Sequence, residues 1–198
     1  MNTTLTLKNV RLAFSDSLTE AKAIQGGKPR YGCTLIIEDD ATLKEVEAAI
    51  KAIATAEFKG NVPPGKDSAL RDGNLNTNKE DEVYKGFENK WFLSANRADS
   101  LGAPLILDNK RDPATGKPRV ITDKTDIKFP EAGDYVNARI NLFSLNGRSD
   151  KKANPAYGKK ICCGLEVVQF ATKGEPFGAS KPTADGFDAE DEDMDDLS

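Results

Sequence analysis

The hydrophobic alternation of the first strand-like segment, residues 4–14, changes phase partway along. Leu5 and Leu7 share one phase, whereas Val10, Leu12 and Phe14 share the other. Because successive side chains of a strand point to opposite faces, a one-residue slip turns every later side chain over unless a β-bulge absorbs it. The pattern therefore predicts a bulged, sharply bent strand of the kind that serves both halves of a small barrel.

The rest of the chain supplies one amphipathic helix among several strands. Residues 41–58 carry apolar side chains at spacings of three and four, with Asp39 or Asp40 as the N-cap. Further strands are predicted at 30–38, 90–97, 104–107, 134–144 and 159–170. Residues 59–89 are irregular, and a stretch of that length in a compact domain is either functional or disordered. One helix among about five substantial strands favours a mainly β fold, a small β-barrel with long inserted loops, over a parallel α/β sheet.

Charge divides the chain into two unequal parts. The whole carries 28 basic and 32 acidic side chains, but the last fourteen residues hold eight acids and no base, which leaves the remainder at +4 (28 against 24). From Glu175 onward glycine, proline, serine and acids dominate without periodicity, so this segment buries too little apolar surface to fold. The predicted organisation is a folded domain over 1–174 and a disordered acidic tail over 175–198.

Isolated apolar residues interrupt the acids near the C-terminus. Such a pattern suits a short linear motif that docks into a basic, partly apolar groove of a partner protein. The alternative is that the acidic end only raises solubility. The candidate docking residues are Phe187, Asp191, Asp193, Asp195, Asp196 and Leu197.

The absence of histidine excludes several classes of enzyme and metal site. Neither a Ser-His-Asp nor a Cys-His catalytic centre can be built, and histidine-ligated metals are excluded as well. The three cysteines form no C-x-x-C pair, which argues against a zinc ribbon or a disulfide framework and favours free buried thiols. Asp123 and Asp126 are spaced closely enough for a Mg²⁺-dependent nuclease, but Lys124 and Lys128 alternate with them as on a solvated surface. We expect no enzyme activity, catalytic residue, metal or cofactor.

The predicted strand at 134–144 has two chemically different faces. One face carries only small aliphatic side chains, which suits a core. The other face carries two aromatic rings, a cation and two amides: Tyr135, Asn137, Arg139, Asn141 and Phe143. Bases can stack on such rings and phosphates can pair with the cation, as in grooves that bind single-stranded nucleic acid. The alternative is that both rings belong to a second small core under the loops.

Basic residues cluster in the same part of the sequence. Residues 139–184 contain eight bases and three acids, and Tyr157 lies among the lysines. Bases interleaved with aromatics are the expected footprint of a single-strand groove, although a lysine-rich loop can also be only a solvated surface. The candidate phosphate-binding side chains are Arg30, Arg97, Arg139, Arg148, Lys151, Lys152, Lys159 and Lys160. Trp91 and Phe92 alternate on the strand at 90–97, and either ring could face the groove.

The order of several segments is more specific than any one of them. The chain reads NVRLAF, GGKPRYGCTLIIE, an amphipathic helix, a central DG-containing loop, AGDYVNARINLF, YGKKICCGLEVVQF and an acidic tail. This order, which spans residues 5–198, resembles a family of bacteriophage single-stranded DNA-binding proteins. The resemblance implies an oligonucleotide/oligosaccharide-binding (OB) fold that coats and protects single-stranded DNA, without sequence preference, in phage DNA replication and recombination. It also implies that the acidic tail recruits replication or recombination proteins.

Several properties stay open at the level of sequence. The tail could compete with DNA for the groove, since tethered charges act at high effective concentration. A second hypothesis makes the chain an acidic-tailed interaction or assembly protein that does not bind DNA directly. Homo-oligomerisation or cooperative assembly on DNA is compatible with both. No apolar run approaches the length of a membrane span, and the N-terminus lacks a signal-peptide pattern, so no membrane partner is expected and the expected location is the cytoplasm of the bacterial host.

Overall fold

The computed structural model describes residues 2–23, 27–146 and 158–177. Its strands are β1 (Asn2–Lys22), β2 (Arg30–Ile37), β3 (Leu70–Asp72), β4 (Trp91–Ala98), β5 (Leu105–Arg111), β6 (Pro118–Val120), β7 (Tyr135–Asn146) and β8 (Lys159–Thr172). The helix α1 spans Asp40–Phe58, and single 3₁₀ turns occupy Gly65–Asp67, Gly73–Leu75 and Asp99–Leu101. No helix within these ranges is long and apolar enough to cross a membrane.

Five of the strands close into a barrel. The hydrogen-bonded order runs β4-β2-β1-β7-β8, and parallel pairing of Ala95 with Cys163 joins β4 back to β8. Strand β3 extends the sheet beyond β4, while β5 and β6 extend it beyond β8. Closure removes the open edges of the five central strands, which would otherwise expose unpaired backbone groups. The predicted mainly β barrel with one helix is therefore confirmed.

The first strand bends where its alternation slips. Its pairing with β7 shifts register between Leu7 and Val10, and Asn9 between them adopts a left-handed conformation with φ +53°. The bulge lets both Leu7 and Val10 point into the core despite their odd spacing, since both are buried. Beyond the bulge, β1 pairs with β2 from Arg11 onward. The predicted bulge is confirmed, although the strand continues to Lys22 because irregular pairing with β2 carries the polar residues after Phe14.

The helix closes one end of the barrel core. Val46, Ile50 and Ile53 are buried against the apolar side chains that point inward from the barrel strands. Asp39 is the N-cap, since its carboxylate accepts a hydrogen bond of 2.7 Å from the backbone N–H of Thr42. A carboxylate at this position satisfies an otherwise unpaired N–H and lies at the positive end of the helix dipole.

A second, smaller apolar cluster lies outside the barrel. We call it the outer cluster; its buried members are Ala13, Ile36, Phe87 and Phe92, and half-buried Val83 and Phe177 pack against it. Residues 73–89 cover this face of the sheet and are ordered by turns and by a β-bridge between Thr77 and Val83. The long irregular stretch of the sequence is thus a lid on the sheet that buries apolar surface of its own.

The chain returns to the outer cluster after β8. Arg11 donates a hydrogen bond of 2.7 Å to the carbonyl oxygen of Glu175, and its guanidinium carbon lies 4.3 Å from the ring centroid of Phe177. The predicted tail boundary at 175 therefore falls just before a residue that packs on the folded domain. The rest of the predicted tail, with the docking residues Phe187, Asp191, Asp193, Asp195, Asp196 and Leu197, lies outside the described residues.

Candidate nucleic-acid interface

A cleft of about 610 Å³ opens where β2, β4, β7 and β8 meet. We call it the central cleft. It brings together five residues that sequence analysis places in a DNA-binding groove: Arg30, Arg97, Asn141, Phe143 and Lys160. Residues almost 70 positions apart, such as Arg30 and Arg97, become neighbours because β2 and β4 pair along their whole length.

Phe143 supplies the aromatic surface of the cleft. Alternation along β7 places Val136, Ala138 and Leu142 in the core, so Phe143 points to the outside. It pairs with Cys162 on β8, and its ring carbon Cε1 lies 3.6 Å from the position that a Cβ would occupy on Gly164. The ring therefore lies against the backbone of β8 and is half-exposed to the cleft. A supported, partly exposed ring of this kind can stack a base.

Cations predominate around this ring. Five basic side chains line the cleft (Arg30, Lys66, Arg71, Arg97 and Lys160), against one lining carboxylate, Glu166, among the described residues. Arg30 and Lys160 converge on half-buried Cys162: burial raises the pKa of this thiol, while the positive charges of Lys160 and Arg30 act in the opposite direction. The lining is thus positive and aromatic, the combination that binds single-stranded nucleic acid.

Three of the five cations, Lys160, Arg97 and Arg71, already have partners within the protein. Lys160 forms an ion pair of 2.9 Å with Asp67. The guanidinium of Arg97 donates to the carbonyl oxygens of Gly102 at 2.9 Å and Leu101 at 3.0 Å. Arg97 therefore holds the 3₁₀ turn Asp99–Leu101 in place, and fewer of its donors face the cleft.

Lys66 and Arg71 were not predicted as groove residues from the sequence. Both come from the irregular stretch after the helix, where no periodicity marks a binding face. Arg71 is held by a hydrogen bond to the hydroxyl of Ser94 and by stacking over Phe92, with 4.9 Å between the guanidinium carbon and the ring centroid. Burial lowers the pKa of Arg71. Only the pairing of β3 with β4 brings this residue to the cleft.

The structure places Trp91 and Phe92, which alternation alone could not distinguish, in different surroundings. Phe92 points to the same face as Ser94 and Asn96 but is only 4% exposed, because it belongs to the outer cluster. Trp91 is 39% exposed and borders a different hollow beside the helix, next to Val62 and Leu70. Neither ring lines the central cleft.

Other predicted residues lie elsewhere on the barrel. The phenol of Tyr135 donates to Glu38 at 3.0 Å, which raises the pKa of Tyr135, and Asn137 donates to Gln169 at 3.0 Å. Exposed Arg139 lies on β7 between them and the cleft. Lys159 extends over the ring of Phe58 at the end of the helix. Arg148, Lys151, Lys152 and Tyr157 lie outside the described residues.

A second hollow adjoins the central cleft. We call it the β1–β2 recess; its volume is about 710 Å³, and Lys22 and Lys28 line it. The two hollows share Arg30, Ser94 and Asn96 as lining residues, so they form neighbouring parts of one surface groove.

The paired acids that suggested a nuclease have other partners. Asp126 accepts a hydrogen bond of 2.6 Å from Arg119, which lowers the pKa of Asp126. Asp123 accepts hydrogen bonds from the backbone N–H and the hydroxyl of Thr125. Within the described residues, no three Asp, Glu, Cys or His side chains are arranged to hold a metal ion. These carboxylates stabilise their own loop.

Comparison with known proteins identifies the family. A family model described as the ssDNA-binding protein of Enterobacter phage Enc34 matches residues 3–197. The chain belongs to this family. The predicted membership of a phage single-stranded DNA-binding family is confirmed by a match over nearly the whole chain. No curated protein sequence matches significantly.

Solved structures of similar proteins share the fold. The single-stranded DNA-binding protein of bacteriophage Enc34 in complex with ssDNA is 22% identical, with a TM-score of 0.64 over 88% of this chain and 89% of that chain. Another structure of the Enc34 protein is 21% identical, with a TM-score of 0.63 over 93% of this chain and 90% of that one. The single-stranded DNA-binding protein gp2.5 of bacteriophage T7 is 13% identical, with a TM-score of 0.51 over 96% and 100% of the two chains. At these identities the likeness establishes the fold, and the predicted OB-type barrel agrees with it.

Proposed function

We propose that this protein binds single-stranded DNA along the central cleft, without sequence preference, and coats it in phage DNA replication and recombination. One observation carries the proposal: Phe143, Arg30, Arg71 and Lys160 meet at a single cleft, although they come from four different strands. Membership of the Enc34 family, and the ssDNA complex of the Enc34 protein, support the same ligand.

The cleft offers two kinds of contact to a single strand. A base stacks on the ring of Phe143, which contributes about 1–3 kcal/mol per stacked base. Phosphates pair with Arg30, Lys66 and Arg71, whose charges do not depend on which base is present. Every base has an aromatic face and every nucleotide a phosphate, so this chemistry tolerates any sequence. Lys160 joins the phosphate contacts if DNA displaces Asp67 from its ion pair.

The role that we propose is binding and protection rather than catalysis. The proposed contacts with DNA are stacking and charge pairing, and neither requires a residue of the cleft to break a covalent bond. Arg139 and the other predicted site residues on β7 outside the cleft would extend the path of the DNA strand along the barrel. Contacts with other copies of the chain or with replication proteins belong to the same proposal.

In this proposal residues 1–174 form the DNA-binding domain and residues 175–198 form the acidic tail. The tail competes with DNA for the groove and docks onto partner proteins. Phe177, the last described residue, packs on the outer cluster, and the last fourteen residues of the chain carry eight acids and no base. Truncation before Asp185 should raise the affinity for single-stranded DNA, most at low salt, because tethered charges compete at high effective concentration. Unchanged or weaker binding would contradict competition but would leave partner docking intact.

A matched pair of ring substitutions tests the proposal. Phe143→Leu keeps an apolar side chain but removes the stacking surface, and Trp91→Leu does the same at a partly exposed ring outside the cleft. In fluorescence anisotropy with labelled oligothymidylate, Phe143→Leu should weaken binding roughly 5-fold or more, and Trp91→Leu should bind like the wild type. If the wild type shifts no single-stranded DNA at low salt but its tail captures a partner, the interaction-protein alternative is correct. If Trp91 rather than Phe143 controls affinity, the central cleft is the wrong site.

A further inference from the structure

Phe14 adopts a backbone conformation that bulky residues rarely take. Its φ is +47°, in the left-handed region, where the Cβ of an ordinary residue is crowded by the backbone. Such conformations persist where the surrounding structure imposes them, and they concentrate at functional sites. Despite its size and apolarity, Phe14 is 47% exposed. The strain therefore places an aromatic ring at the surface rather than in the core.

The ring of Phe14 belongs to a supported group of aromatics. Its centroid lies 5.1 Å from that of Tyr84 in an edge-to-face arrangement and 5.7 Å from that of Phe87. Phe87 is fully buried in the outer cluster, whereas Tyr84 is 38% exposed. Two exposed rings thus rest on a buried one, which limits the freedom that either would lose when a ligand stacks on it.

The position of Phe14 connects this pair to the groove. Phe14 lines the β1–β2 recess together with Lys22, Lys28 and Arg30, and none of these three cations forms an ion pair with a described residue. Gly32 forms the floor, since a Cβ there would lie 2.8 Å from the side-chain oxygen of Asn96. The recess therefore repeats the chemistry of the central cleft, a partly exposed ring beside several cations.

We propose that Phe14 and Tyr84 form a second base-stacking step, which takes a nucleobase of the same DNA strand after the strand passes Arg30. Lys22 and Lys28 neutralise the phosphates on either side of that base. This inference rests on the proposed function, and it assigns the strand a path from Phe143 through Arg30 to the loop that carries Tyr84. Residues 73–89 then contribute directly to binding in addition to covering the sheet.

Substitution of Phe14 by asparagine separates binding from folding. Asparagine tolerates the left-handed region better than most residues, so Phe14→Asn removes the ring and relieves the strain together. Phe14→Tyr retains the ring and is the matched control, and Tyr84→Leu removes the other half of the pair. Binding is measured with oligothymidylates of about 4 to 16 nucleotides, the range of site sizes for such folds, and the midpoint of thermal unfolding is recorded for each variant.

The loss should depend on oligonucleotide length. Phe14→Asn and Tyr84→Leu should bind the shortest oligonucleotides, which fill only the central cleft, like the wild type, and should bind the longest ones roughly 5- to 150-fold more weakly. Phe14→Tyr should match the wild type throughout. Wild-type affinity of Phe14→Asn at every length would overturn the proposal, as would an equal loss at every length accompanied by a lower unfolding midpoint.

Photocrosslinking gives a readout that a purely structural role would not produce. Oligothymidylate with one 5-iododeoxyuridine is irradiated on the wild-type protein, and the adduct is located by mass spectrometry. Adducts on Phe14 or Tyr84 from the long oligonucleotide support the second step, and adducts confined to other residues refute it. The proposed function fails separately: if Phe143→Leu binds every length like the wild type, the central cleft is wrong whatever Phe14 does.

Discussion

Arg30 is the cation whose removal should reveal most about the groove. It is exposed, it lines both the central cleft and the β1–β2 recess, and it forms no ion pair with a described residue. Arg30→Gln removes the charge and keeps a polar side chain of similar reach. Because the backbone of Arg30 still pairs with β1 and β4, we expect the fold to be unaffected.

The size of the effect follows from counterion release. Each phosphate neutralised on a single strand contributes about −0.7 to the slope of log K against log[salt]. If Arg30 neutralises one phosphate, the substitution makes the slope shallower by about 0.7 and weakens binding about 5-fold at 0.1 M salt, or about 1 kcal/mol. The same slope gives about a 15-fold loss at 0.02 M salt and none near 1 M.

Anisotropy titrations with one oligothymidylate at several salt concentrations measure this slope. The matched control is Arg111→Gln, which removes another exposed arginine, from β5 and outside both hollows. Its slope should equal that of the wild type. Equal changes of slope in both variants would show that overall charge, rather than a phosphate bound at Arg30, controls affinity, and would refute the reasoning.

Three further outcomes follow from the packing. Gly73→Ala should lower the free energy of unfolding by about 1–3 kcal/mol in urea denaturation, because the added Cβ would lie 2.1 Å from the carbonyl oxygen of Phe87; wild-type stability would show that residues 73–89 do not pack as described. In native protein near pH 8, a thiol reagent should modify Cys162 alone, and more slowly with bound DNA, because Cys33 and Cys163 are buried and burial raises the pKa of both thiols, that of Cys33 to about 12. Mass spectrometry of intact protein counts the adducts, and more than one would contradict the prediction. Asp39→Ala should destabilise the protein at neutral pH, and the difference should begin to shrink only as the pH falls below about 4, the ordinary pKa of Asp, and should vanish below the lowered pKa of the folded state. A helix N–H lowers the pKa of this carboxylate, so its contribution is present above the unfolded pKa and lost as the pH falls through the folded one; a difference that persists in acid would exclude this cause.

Local patterns predicted the elements that the barrel is built from. The bulge between Leu7 and Val10 was predictable because two core residues at an odd spacing can face the same side of a strand only if a bulge lies between them. The helix was readable from its spacing and from the N-cap at Asp39. Phe143 and Asn141 could be predicted to line a groove because alternation along β7 distinguishes its outer face from its inner face.

The same alternation could not place residues along the barrel. Tyr135 shares the outer face with Phe143, but it lies at the far end of a 12-residue strand, where Glu38 accepts its hydrogen bond. Periodicity specifies the face of a strand and carries no information about which neighbour covers it. Periodicity therefore did not reveal that Phe92 is buried under residues 73–89, although its ring points to the outer face of its strand.

The chain's alternation, its one capped helix and its order of segments were sufficient to predict a bent-strand barrel and its family, because each depends on neighbours in sequence. The central cleft depends on long-range pairing instead. Arg71 reaches it only because β3 adds to β4, and Arg30 meets Lys160 only because the barrel closes between β4 and β8. Contacts of this kind are decided when the whole chain buries its core, so only the tertiary structure could bring these cations around one aromatic ring.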